Sequence, residues 1–88
     1  MVASQALYLM NNEFIAECAA AMVRRPEIAA VGAVGEKVER LTRLAFGRGP
    51  TASEVARAGV FLGAQPDLAR WELFAQALLM ANEFVFVD

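Results

Sequence analysis

The sequence predicts an all-α fold, a compact bundle of four to five short helices forming a single domain over residues 1–88. Three observations predict it. Apolar residues recur at spacings of three and four in four separate stretches, the signature of helices with one buried face. Residues that start and stop helices punctuate those stretches in the right order. No apolar–polar alternation lasts long enough to build a sheet.

Ser4 is placed to cap a first helix from about Gln5 to Arg24, with Leu7, Met10, Phe14, Cys18 and Met22 along its inner face. Arg24-Arg25-Pro26 ends it, because cations suit a last turn and proline cannot continue one. Pro26-Glu27-Ile28 opens a short turn of helix with proline at its first position, and Gly32 and Gly35 loosen the stretch after it.

A second full helix runs from Glu36 to Phe46, with Val34, Val38, Leu41 and Ala45 as its stripe. Glu36/Arg40 and Glu39/Arg43 stand four apart with the acid first, the favourable orientation. Gly47 stops this helix, since glycine accepts a left-handed backbone at no steric cost.

Pro50-Thr51-Ala52-Ser53-Glu54 is the sharpest local signal: Thr51 as N-cap and Glu54 three residues on make a capping box. The helix it opens, Ala52 to Leu62, is expected to bury Val55, Gly59 and Leu62, with Gly59 admitting a close neighbour. A last helix from about Asp67 to Asn82 carries Leu68, Trp71, Ala75, Leu78 and Asn82 on one face. Phe84-Val85-Phe86-Val87-Asp88 has strand propensity but no strand to pair with, so it continues the helix or lies as an apolar tail over the core.

Composition narrows function mainly by exclusion. The net charge is −2 and the basic residues form no stripe, which argues against nucleic acid as a partner. Asn, Glu and Arg interrupt every apolar run before it spans a bilayer, and Met1-Val2-Ala3-Ser4 lacks the basic start of a signal peptide. With one cysteine, Cys18, an internal disulfide and a multi-cysteine zinc site are excluded. With no histidine, so are an imidazole base, a Ser-His or Cys-His pair and the usual proximal haem ligand. Hydrophobic residues make up 58% of the chain and charged ones 20%, greasier than an average soluble domain. Such a domain packs against something else or forms a tight oligomer, and the first is the preferred reading.

Several residues invite sharper readings. An anion could sit with Arg48 at the helix start after Gly47-Arg48-Gly49-Pro50-Thr51, but a plain capped turn is the simpler expectation. Cys18 is expected as a small core residue facing Phe14 and Met22, there being no base to activate it. The strings Leu9-Met10-Asn11-Asn12-Glu13-Phe14 and Leu79-Met80-Ala81-Asn82-Glu83-Phe84 match at five of six positions. They pair Glu13 with Glu83 and Asn12 with Asn82, the carboxylates expected as structural and the amides as fasteners of loops. Met10, Met22 and Met80, with Phe14, Phe74, Phe84 and Phe86, form either core or an exposed docking patch.

Three segments together carry a family resemblance: Gln5-Ala6-Leu7-Tyr8-Leu9-Met10-Asn11-Asn12, Arg40-Leu41-Thr42-Arg43-Leu44-Ala45-Phe46-Gly47-Arg48-Gly49-Pro50-Thr51-Ala52-Ser53-Glu54, and Ala77-Leu78-Leu79-Met80-Ala81-Asn82-Glu83-Phe84-Val85-Phe86-Val87-Asp88. The chain resembles the planctomycete cytochrome-c-associated C-terminal domain family, a domain of unknown function in large exported proteins. The resemblance implies that this chain is the C-terminal piece of a larger protein, exported to the periplasm or envelope. It implies a haem-binding segment elsewhere in that parent, since no Cys-x-x-Cys-His occurs here. It supplies no catalytic, cofactor-binding or metal-binding residue.

The expected role is therefore non-catalytic: packing against other domains of the parent, or binding a partner protein, with no cofactor in this chain. Phe84, Phe86 and Val87 are the candidate interface residues and Thr51 and Glu54 the helix-capping ones. Two alternatives stand beside it. One is an accessory domain completing an enzyme site upstream in the parent, and the other a stand-alone homodimer.

Overall fold

Helix boundaries follow from backbone chemistry. The computed structural model describes the backbone of residues 12–87 and the side chains of residues 13–81. These form five helices and no strand: α1 Asn12–Arg24, α2 Pro26–Ala29, α3 Val34–Phe46, α4 Ala52–Leu62 and α5 Leu68–Val87. The expected all-α fold is what is found. The stretch expected to start the first helix, with Ser4, Leu7 and Met10, lies outside the described residues.

Arg25, next to a proline, is pushed out of the helical region (ψ 138°), so α1 ends and α2 begins with Pro26 at its first position. Gly47 takes the left-handed conformation (φ 76°) and returns its amide to the Arg43 carbonyl at 2.8 Å, closing α3. Gly63 (φ 73°, ψ −167°) closes α4 and turns the chain toward α5. Asp67 caps α5, its Oδ1 accepting the Arg70 amide at 2.9 Å.

α1 and α5 share the most extensive helix contact. The Arg24–Glu72 ion pair, 2.7 Å, joins the last residue of α1 to the second turn of α5, so the two run antiparallel. α3 packs across α5, and α4 bridges α3 and α5. The core gathers Ala19 and Val23 of α1, Ile28 of α2, Val38 and Leu41 of α3, Ala58 and Leu62 of α4, and Trp71, Phe74 and Ala75 of α5. Trp71 meets Phe74 edge to face, ring centres 6.0 Å apart, and Lys37 Nζ lies 5.0 Å from the Trp71 ring. Thr42, buried on α3, satisfies its hydroxyl on the Val38 carbonyl at 2.7 Å. Arg40 joins α3 to α2 through the Glu27 carbonyl, at 3.2 Å, while pairing with Glu36 at 2.8 Å.

Four expectations about faces are corrected. On α1 the buried row is Ile15, Ala19 and Val23, one step from the expected Phe14, Cys18 and Met22. Phe14 is exposed, and Cys18 and Met22 are partly buried. The buried row includes Ala19, and a small residue lets α1 approach α5 closely. On α3 Thr42 is buried and Ala45 only partly so. On α4 the buried positions are Ala58 and Leu62; Val55 is 48% exposed, and among the described residues a Cβ on Gly59 would meet nothing within 4 Å, so none of the described helices packs against it. On α5 Leu68 is exposed and Phe74 takes its place in the core, while the apolar tail does continue the helix, as far as Val87.

Candidate interaction groove

α3, α4 and α5 leave a half-open groove of about 370 Å³ between them. One wall is the row Val38, Thr42 and Phe46, spaced four apart along α3. A second is the flank of α4 made by Glu54, Arg57, Ala58 and Phe61, and the floor is the stretch of α5 bearing Phe74, Ala77, Leu78 and Ala81. Small residues at 58, 77 and 81 keep it open, and three phenylalanines make it apolar.

Its polar edge begins at the capping box. The Thr51 hydroxyl accepts the Glu54 amide at 3.2 Å, and Glu54 Oε1 accepts the Thr51 amide at 2.9 Å. The same carboxylate takes both arms of Arg48, at 3.0 and 2.9 Å. Arg48 also donates to the Gly49 carbonyl at 2.8 Å and lies 5.2 Å from the Phe46 ring. Arg48 is therefore spent on Glu54, and the plain capped turn, not an anion site, is what the Gly47–Thr51 segment makes. At the opposite edge Arg70 lies 5.1 Å from the Phe61 ring.

The Arg48 hydrogen bonds first, then the Thr51 amide, hold the Glu54 carboxyl at about 2 against an ordinary 4.5. A folded-state value below the unfolded one stabilises the folded chain above pH 4.5, an advantage lost as pH falls toward 2. Acid titration followed by circular dichroism should show wild type losing stability across that window more steeply than Glu54→Gln; superimposed curves would refute the pairing. Thr51→Ala, which removes the cap acceptor, costs about 1 kcal/mol in urea unfolding.

Of the residues singled out from sequence, Thr51 and Glu54 form the expected box. Phe84, Phe86 and Val87 fall in the last turns of α5, and their side chains lie outside the described residues. So do the Asn12 and Asn82 amides and Glu83, which leaves the pairings of the near-repeat outside them too; Glu13 is exposed. The methionine and phenylalanine set divides: Phe74 is core, Met22 packs against it, and Phe14 and Met80 are exposed. The groove has no local signature in the sequence, because its walls come from three helices. Among the described residues, His, Cys, Asp and Glu nowhere gather in threes to hold a metal, and no helix is long and apolar enough to cross a membrane.

A family described as "Protein of unknown function (DUF1553)" matches residues 1–62. The chain belongs to that family. The match takes in the capping box and the α3 and α4 walls of the groove; α5 lies beyond it. No curated protein and no solved structure matches significantly.

Proposed function

We propose that this DUF1553 chain is a non-catalytic helical packing module, docking onto another part of a larger protein or onto a protein partner. The observation that carries the proposal is α5. A helix covered on one side only is normally polar on the other, and one that is apolar all round is normally covered all round. α5 is apolar on two sides, with Glu72 and Gln76 between them: behind its core residues Trp71, Phe74 and Ala75 it presents Leu73, Ala77 and Met80, spaced four and three apart. Leu73 is 50% exposed and Met80 45%. That outward stripe adjoins the groove through Ala77, so the two form one apolar surface.

The chemistry of the described residues fits a non-catalytic role. The strongly shifted carboxylate, Glu54, is shifted downward and held by Arg48, which makes it a weak proton acceptor at neutral pH. The resemblance of Arg40–Glu54 and Ala77–Asp88 to the cytochrome-associated family supports an exported, haem-bearing parent as the context. A photo-cross-linking residue in place of Leu73, introduced in the source cell, tests the proposal. A covered α5 face yields a cross-link to another polypeptide segment, and a bare one yields none.

A further inference from the structure

The groove has a chemistry of its own at its edges. Its lining holds Glu54, which is paired with Arg48, and Arg57, which has no such partner among the described residues. Arg57 lines the groove, Arg48 lies against Phe46, and Arg70 lies against the Phe61 ring with its guanidinium donating to the Phe61 carbonyl at 3.5 Å. Among the described residues, the carboxylates bonded to these arginines are committed: Glu54 to Arg48 and the capping box, Asp67 to the Arg70 amide. Among the described residues neither Arg57 nor Arg70 has a carboxylate within ion-pair distance.

From this charge pattern we infer that the groove receives an amphipathic helix carrying carboxylates beside its apolar anchors. The inference rests on the packing role above and names the partner's chemistry. The α3 wall runs over Val38, Thr42 and Phe46, about 12 Å at 1.5 Å per residue, which accepts two turns of a docked helix. Leucine-sized anchors at i, i+3 and i+7 would enter between the phenylalanines. Acidic residues flanking them would reach Arg57 and Arg70, steering the helix in and fixing its direction.

The test uses the 88-residue chain and a fluorescein-labelled designed helix with leucines at i, i+3 and i+7 and glutamates beside them. Binding is read by fluorescence anisotropy. The glutamate peptide is expected to bind, and the same peptide with lysine for glutamate to bind roughly fivefold more weakly or worse. Arg57→Gln combined with Arg70→Gln should erase that preference. Ala77→Leu should abolish binding by filling the groove while the helical circular dichroism is kept; if that variant misfolds, Ala81→Leu serves. Equal binding of the two peptides would overturn the charge selection while leaving the packing role standing. No binding of the glutamate peptide up to about 1 mM would overturn the inference, as would oleate saturating the groove in its place. A cross-link from Leu73 reads the outer face of α5 independently of this rim.

Discussion

Leu41→Ala should lower the unfolding free energy by about 3 kcal/mol, the middle of the range for emptying a buried leucine site. Leu41 has no exposed surface and sits at the centre of α3, in one cluster with Val38, Ala58, Trp71 and Phe74. Its removal loses the transfer energy of the side chain and leaves a void where α3 meets its neighbours. For a chain of this length total stability is about 4–13 kcal/mol, so the loss takes a quarter or more of it. The melting temperature should fall by roughly 12–24 °C. Leu44→Ala, on the same helix but exposed, should cost under about 1 kcal/mol. Urea unfolding of the pair decides the matter: equal midpoints would mean that α3 presents a different face to the core.

Gly63→Ala and Gly59→Ala should shift stability in opposite directions. Gly63 has φ 73° and ψ −167°, a backbone region essentially reserved for glycine, and a side chain there costs about 1–3 kcal/mol. The strain has little room to relax. The Gly63 amide is bonded to the Gly59 carbonyl at 3.0 Å, and four residues later Asp67 caps α5. Relaxing it would move α5 against α4, two of the three sides of the groove. Gly59 lies inside α4 with open space where a Cβ would go, so alanine there should stabilise by about 1 kcal/mol. Thermal unfolding of the two variants checks both signs, and a stabilised Gly63→Ala would refute the backbone geometry of that turn.

Features built from neighbours in sequence were legible without the structure. The Thr51–Glu54 box, the Gly47 stop, the Pro26 start and the Glu36–Arg40 and Glu39–Arg43 pairs each depend on a fixed short offset, and each is found. The faces of α1 and α4 were less legible. In α1 the rows through Phe14, Cys18 and Met22 and through Ile15, Ala19 and Val23 have equal spacing, and the larger side chains favour the wrong one. What decides is proximity: Ala19 on α1 and Ala75 on α5 both have no exposed surface, and residues that small admit a near helix. In α4 the glycine suggested a close contact, whereas Ala58 is the small buried residue. The groove draws on residues up to 43 positions apart, Val38 to Ala81, and no local pattern encodes it. Its trace in the sequence is indirect, in a composition greasier than one core requires and in a last helix with apolar residues outside its core face.

The most direct measurement on the packing role is photo-cross-linking in the source cell from Leu73, compared with the same residue placed at Val60. Both sites are open in the chain alone, Val60 the more so at 88% exposure. Val60 is not among the residues that line the groove. A packing module gives a strong, defined cross-link from Leu73, to a partner or within a polypeptide larger than 9.5 kDa, and little from Val60. Equal labelling from both sites, or a Leu73 cross-link only to a second copy of this chain, would contradict it.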